Sequence, residues 1–360
     1  MEKVYLDRFA KIKAEMTLRG IDALLVTDFY SIWYLSGIWN EPYERMYVLY
    51  VPVEGSVKLF ANRLFNIPAN NFETIWYSDS DDCVGILSSH IAEKGKVGVD
   101  KTWSARFLIP LMQKNQNVSF VLGSDCVDNV RARKDLKEIE LMKEASRIND
   151  VVIEKAMAYV HKGVTELEVA EFVAEQFKKE GAEGPSFETI VSFGANAADP
   201  HHEPDGTVVQ EGDCVLIDMG CRKDHYVSDM TRTAFFKSAP EEYTKIHDIV
   251  REANEKAEAF VRPGVPLCEI DAVARSYISD AGYGEYFTHR LGHFCGQTEH
   301  EQGDVSAANK DVAKEGMIFS IEPGIYLPGK FGVRIEDLVL VTKDGCEPLN
   351  HVDKHWKIIG

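Results

Sequence analysis

The sequence contains no C-x-x-C pair, no low-complexity linker and no uninterrupted apolar run approaching 18 residues. It is also short of positive charge, with 40 Lys and Arg against 58 Asp and Glu, a net of -18. Each shortage excludes something. Seven scattered cysteines, an odd number, do not make a disulfide framework and suit a reducing compartment. Without a long apolar run there is no candidate membrane-spanning helix, and "MEKVYLDRFAKIKAEM" reads as a charged amphipathic helix rather than a signal peptide, so a cytoplasmic location is expected. A field of this sign repels nucleic acid and anionic membranes, which leaves a small molecule or a protein as the partner. Nucleotide and zincin motifs are missing too: no G-x-x-x-x-G-K-[ST] occurs, "GYGEYF" is not G-x-G-x-x-G, and "HEQGD" fails H-E-x-x-H.

What is present is a composition for folding, 45% hydrophobic and 27% charged over 360 residues, a length that suggests two domains. Up to Leu122, strand-like runs ("ALLVTD", "YVLYVPV", "VKLFAN", "TIWYSD", "KVGVD", "VSFVLG") alternate with helical patterns such as "SARFLIPLMQKN", which predicts an α/β domain. A long charged stretch with apolar residues at helical spacing, "VDNVRARKDLKEIELMKEASRINDVVIEKAMAYV", then opens a second domain. The expected domains are residues 1–125 and 126–360.

The second domain carries a weak internal repeat of two helices followed by a hairpin. "TELEVAEFVAEQFKKEG", started by a Thr165 to Glu168 capping box, leads to "CVLIDMGCRKDHYVSDMTRTAFF"; "EEYTKIHDIVREANEKAEAFV" and "LCEIDAVARSYISDAG" lead to "MIFSIEPGIYLPGKFGVRIEDLVLV". Each hairpin holds two carboxylates in an apolar setting, Asp218 and Asp229 in the first, Glu322 and Glu336 in the second. Both pairs straddle their turns almost symmetrically, so an antiparallel register makes each pair near cross-strand neighbours. Buried unpaired anions at this spacing repel and cost several kcal/mol each, on the order of the penalty for any desolvated charge. Arg232 and Arg334 could neutralise one or two of them as structural ion pairs, but not four. A metal centre accounts for all four, and an oxygen-rich one suits an ion such as manganese better than a zinc-thiolate site. The segment "THRLGHFCGQTEHE" offers His289, His293 and His300 as a nitrogen ligand, without saying which one binds.

These segments, together with "IVSFGANAADPHHEP", resemble in order and spacing the signatures of the pita-bread metallopeptidases, most closely the bacterial Xaa-Pro dipeptidases, or prolidases. The resemblance implies an α+β pita-bread catalytic domain with an internal pseudo-twofold repeat, behind a creatinase-like α/β N-terminal domain. It implies two divalent metal ions per chain, manganese foremost with cobalt or zinc as alternatives, held by Asp218, Asp229, His293, Glu322 and Glu336, with Asp229 and Glu336 bridging. Hydrolysis of Xaa-Pro dipeptides by a metal-bridging hydroxide is the implied reaction, with Glu322 relaying a proton and His201 and His300 steadying the carbonyl oxygen. Arg334, and His201 again, are candidates to bind the substrate, and a homodimer acting on small peptides is expected. Aminopeptidase P-like cleavage of longer Xaa-Pro peptides, another amide or ester, and a catalytically silent peptide-binding protein remain as alternative readings. Two departures from the family pattern, "GHFCG" with Phe294 and Cys295 and "HEQG" with Gln302 and Gly303, bear on the shape of the substrate pocket.

Overall fold

The computed structural model describes residues 2–360, and the chain divides into two compact units, Met1–Arg131 and Ala132–Gly360. The first unit is an α/β layer structure around a six-stranded sheet with the order Glu73–Tyr77, Lys58–Asn62, Val48–Pro52, Ala23–Val26, Gly95–Val99, Val118–Leu122. Alternate residues of the Ala23–Val26 strand feed two cores, Leu24 and Val26 one, Ala23 and Leu25 the other, as expected of a strand covered on both faces.

The stretch expected to be one long helix is two. Asp125–Arg131 is a short helix whose Cys126, Val127 and Val130 pack with Phe9, Ile12 and Met16, so it completes the first unit and the division falls a few residues after 125. A new helix, Leu136–Tyr159, starts where Asp135 accepts from Lys137 N and Glu138 N while Glu138 accepts from Asp135 N, a full capping box. The Thr165 to Glu168 box starts the next helix, Glu166–Lys179, in the same way.

The second unit is built on a nine-stranded sheet, six of whose strands we label β1 (Ile190–Phe193), β2 (Cys214–Met219), β3 (Met230–Phe236), β4 (Gly292–Phe294), β5 (Ile318–Ile321) and β6 (Glu336–Val341). They lie in the order β4-β5-β6-β3-β2-β1 and all neighbours are antiparallel. Each half therefore repeats two helices and three strands, and the halves meet at the β6–β3 seam, where Thr231 opposes Glu336 and Met230 opposes Asp337. That is the pseudo-twofold arrangement expected from the repeat. Along β2, Val215, Ile217 and Met219 pack with the first pair of helices, while Cys214 and Leu216 join the core of the second pair, Glu241–Phe260 and Leu267–Asp280. Asp218 shares the face of Leu216.

Among the described residues no helix is long and apolar enough to cross a membrane, and all seven cysteines are free thiols.

Candidate metal centre and active site

The carboxylates gather at the seam because of register. The first hairpin turns on Asp224 and His225, both at positive φ (48° and 68°), a two-residue turn of the kind that suits twisted strands. Its centre lies one residue later than the midpoint of 218 and 229, so Asp218 opposes Thr231 rather than Asp229. A shift of two positions on the partner strand preserves the face, so Asp229, directly before β3, stays on the side of Asp218 as its diagonal neighbour. In the second half the chain leaves the sheet after β5, forms the Gly324–Leu327 and Phe331–Arg334 hairpin, and returns in the same register, which sets Glu322 opposite Glu336.

The structure brings all five expected ligands together. Asp218, Asp229 and Glu336 form one group of oxygen donors, and His293, Glu322 and Glu336 form another; within each group the ligand atoms all lie within 4.8 Å of one another. His293 Nε2 is 3.3 Å from Glu322, 3.6 Å from Asp229 and 3.9 Å from Glu336. Its backbone N–H donates to Ser320 Oγ (2.9 Å), which in turn donates to Glu322 (3.2 Å), so β5 orients two members of the cluster at once. Thr231 sits at the centre, donating to Glu336 Oε2 (2.7 Å) and accepting from Arg334 Nε (3.0 Å).

Electrostatics make this cluster unstable as it stands. Burial, then Asp218 and Glu322, raises Asp229 well above the carboxylate range; burial, then Asp229 and Glu322, does the same to Glu336. Burial pushes Glu322 up to about 7 against the pull of Arg334, and lowers His293 well below the usual imidazole value. Asp218 Oδ1 is buried with no hydrogen-bond partner. A neutral imidazole among carboxylates held above their normal range, with one carboxylate oxygen orphaned, is a donor set that fits hard divalent cations.

The expected cations behave differently from one another. Arg232 points to the opposite side, where it pairs with Asp337 (2.7 Å) and donates to the carbonyls of Thr231, Glu336 and Val352, so it neutralises none of the four acids. Arg334 does pair with Asp218 (2.6 Å), but its remaining donors go to Thr231, Tyr326 Oη (2.9 Å) and Pro200 O (3.3 Å). Arg334, expected as a candidate to bind the substrate, lines the cleft with its guanidinium already engaged on every nitrogen.

The cluster floors a cleft of about 360 Å³ whose walls include Phe187, Ile190, Pro200, His201, His289, Arg290, Glu299 and His300. The His300 ring stands edge-on to His293, centroids 4.1 Å apart, and burial followed by Arg290 lowers its pKa, so it is neutral near pH 7. His201, exposed, lines the same cleft. His289 joins no ligand group and has both ring nitrogens engaged, Nε2 with Tyr326 Oη (2.9 Å) and Nδ1 with the Arg290 carbonyl (2.7 Å). Two groups were not singled out from sequence: Thr231, whose part arises only from pairing with both halves, and Arg290, which lies inside the quoted "HRLGH" and makes no hydrogen bond or ion pair through its guanidinium among the described residues. The departures from the family pattern avoid the cleft wall. Phe294 is buried against Phe319, and the Cys295 thiol, which burial holds far above its ordinary pKa, donates to Glu299 O (2.8 Å).

Residues 140–343 match metallopeptidase family M24 and residues 8–133 match the creatinase/prolidase N-terminal domain. The chain belongs to metallopeptidase family M24. It is 37% identical over 351 residues, 96% of this chain and 99% of the other, to an uncharacterized peptidase of Staphylococcus aureus. Among solved structures, a prolidase from Thermococcus sibiricus superposes over 100% of both chains with a TM-score of 0.92 at 35% identity. A dipeptidase from Pyrococcus horikoshii matches over 98% of this chain and 99% of its own, with a TM-score of 0.91 at 34% identity. The protein is thus a hydrolase with the pita-bread architecture, with strong structural similarity to prolidases and dipeptidases.

Proposed function

We propose that this metallopeptidase is a dinuclear Xaa-Pro dipeptidase, with Asp218, Asp229, His293, Glu322 and Glu336 holding two divalent ions and Asp229 and Glu336 shared between them. The observation that carries this is the cluster at the cleft floor, four carboxylates facing one imidazole with Asp218 Oδ1 unpartnered. Four carboxylates to one nitrogen favours manganese, with cobalt or zinc as alternatives. When bound, such a pair of ions supplies Lewis acidity towards a carbonyl oxygen and acidifies the water that attacks it.

The remaining work falls to the chain's own groups. Glu322, whose carboxylate lines the cleft, is placed to take a proton from the attacking water and pass it to the leaving nitrogen. His300, neutral, and His201 donate hydrogen bonds to the carbonyl oxygen as it gains charge. Arg334 fixes Asp218 and the Pro200 carbonyl in place, which leaves Arg290 as the cation to meet the substrate's carboxylate. Phe187, Ile190 and Pro200 supply apolar wall for a proline ring, whose amide lacks an N–H and needs no acceptor there. A cytoplasmic homodimer acting on small peptides accords with this reading.

The test is metal content after chelator-free purification together with a panel of Xaa-Pro, Xaa-Ala and Xaa-Pro-Yaa peptides under manganese, cobalt and zinc. About two ions per chain and selective Xaa-Pro cleavage are expected. A metal-free, inactive protein would instead be a peptide binder.

A further inference from the structure

We propose that Glu166, which touches neither the metal cluster nor the cleft, is the positioning residue that sets His201 against the substrate. It is the first residue of the Glu166–Lys179 helix and its side chain is completely buried. An isolated carboxylate there would be costly, yet this one accepts four hydrogen bonds. Oε1 takes Phe193 N (2.7 Å) and Asn196 Nδ2 (3.0 Å); Oε2 takes His202 Nε2 (2.7 Å) and Asp205 N (3.2 Å). The first donor is the last residue of β1 and the other three lie in the segment that follows it and carries His201. The helix start holds the far end of the same loop through its backbone, Glu166 N donating to Thr207 O (3.1 Å) and Leu167 N to Asp205 O (3.2 Å).

The other side of the loop is fixed to the reaction centre. Pro200 O accepts from Arg334, which grips Asp218, and a Cβ on Gly332 would lie 1.8 Å from Ala197 O, so the loop lies directly on the strand leading to Arg334. His201 stands between the two anchors: residue 200 is held from the centre and residue 202 from Glu166. Its own N–H donates to Asp199 Oδ1 (3.0 Å), but its side chain is exposed. The direction of the ring therefore depends on where its neighbours are tied. A donor misplaced by about 1 Å can cost 10²-fold in rate, so a carboxylate remote from the chemistry can govern turnover through it.

This rests on the reading of His201 as a substrate-contacting group, and a double-mutant cycle separates the two claims. Glu166→Gln keeps the size and removes two acceptor sites. His202→Ala removes a single donor and serves if Glu166→Gln does not fold. Either variant is expected to lose about tenfold or more in kcat on Xaa-Pro with bound metal unchanged, yet to lose less than about twofold when made in a His201→Ala background. Amide hydrogen exchange over residues 194–205 should speed up in the same variants, a readout that needs no substrate. Equal losses in both backgrounds would make Glu166 a general fold determinant and overturn the proposal, as would unchanged exchange protection of the loop. Full activity in His201→Ala alone would overturn the role of His201 itself, and Glu166's with it.

Discussion

The Phe294 ring fills the space into which any side chain at position 303 would project: a Cβ on Gly303 would lie 2.7 Å from Phe294 Cδ2, at a φ of 118° that L side chains rarely adopt. The two departures from the family pattern are therefore one packing solution in two places, a ring added at 294 and a side chain omitted at 303. Both the clash and the backbone act against Gly303→Ala, which should cost on the order of 1–3 kcal/mol. Differential scanning should show the loss as a lowered Tm. Phe294→Leu, by contrast, should leave the order of preference among Xaa-Pro substrates unchanged, because Phe294 packs on Phe319 and not on the cleft wall. A reordered preference would place the ring in the substrate pocket after all.

If Asp229 and Glu336 are shared ligands, Asp229→Asn or Glu336→Gln should reduce bound metal and activity together. Neither should cost as much stability as a core truncation of about 2–5 kcal/mol, because an amide removes a buried charge that the metal-free protein holds only by protonation. Metal analysis alongside turnover decides: full occupancy with full activity in either variant rules out the shared-ligand assignment.

The site residues could be read from the chain because carboxylates break an apolar strand pattern, and period-two alternation then assigns their face. Glu322 and Glu336 oppose one another as their spacing about Gly329 implies. For Asp218 and Asp229 the same argument erred by one residue, since the turn is set by which residues adopt positive φ and Asp224 and His225 do so without a glycine. Cation roles were hidden for a different reason. Whether Arg334 or Arg290 is free depends on Tyr326 and on Pro200, contacts made by the tertiary fold and invisible in local pattern. The break before Asp135 was written in its capping box with Glu138, but the helical periodicity running through it concealed the boundary.

Stability of the metal-free protein should fall as pH rises. Asp229, Glu322 and Glu336 all have folded pKa values above those of the unfolded chain, Glu322 at about 7. Groups of this kind favour the folded state below the unfolded carboxylate pKa and lose that contribution as pH climbs through the folded value. His293, whose folded pKa is depressed, opposes folding only below roughly pH 6.5, so the window from about 6.5 to about 8.5 isolates the acids. Glu258, also raised to about 7 by burial and Asp337, adds to the slope but belongs to neither group of candidate ligands. The gain in Tm from added manganese should accordingly widen across this window, as the ion takes the place of protons. A metal increment that shrinks with pH would contradict the ligand set.

The length of the substrate provides the last test. A dipeptide ends in a carboxylate immediately after the proline ring, and desolvating that charge requires a donor that is not already engaged. Arg334 cannot serve without releasing Asp218, Tyr326, Thr231 or Pro200, whereas the guanidinium of Arg290 lines the same cleft without such contacts. An amide or a further residue after proline would leave the half-buried cation unanswered, and sites built around a charged group reject analogues lacking it by about 10²-fold or more. Xaa-Pro should therefore be cleaved well and Xaa-Pro-amide and Xaa-Pro-Yaa poorly. Arg290→Met should narrow that gap, mainly by raising KM for Xaa-Pro, with metal content unchanged. Arg334→Lys should instead slow every substrate alike, since lysine cannot hold Asp218, Tyr326 and the Pro200 carbonyl together. Equal rates on Xaa-Pro and Xaa-Pro-Yaa in the unmutated protein would move the chain to the aminopeptidase side of the family; an unaltered gap in Arg290→Met would return the carboxylate to His201 or Arg334.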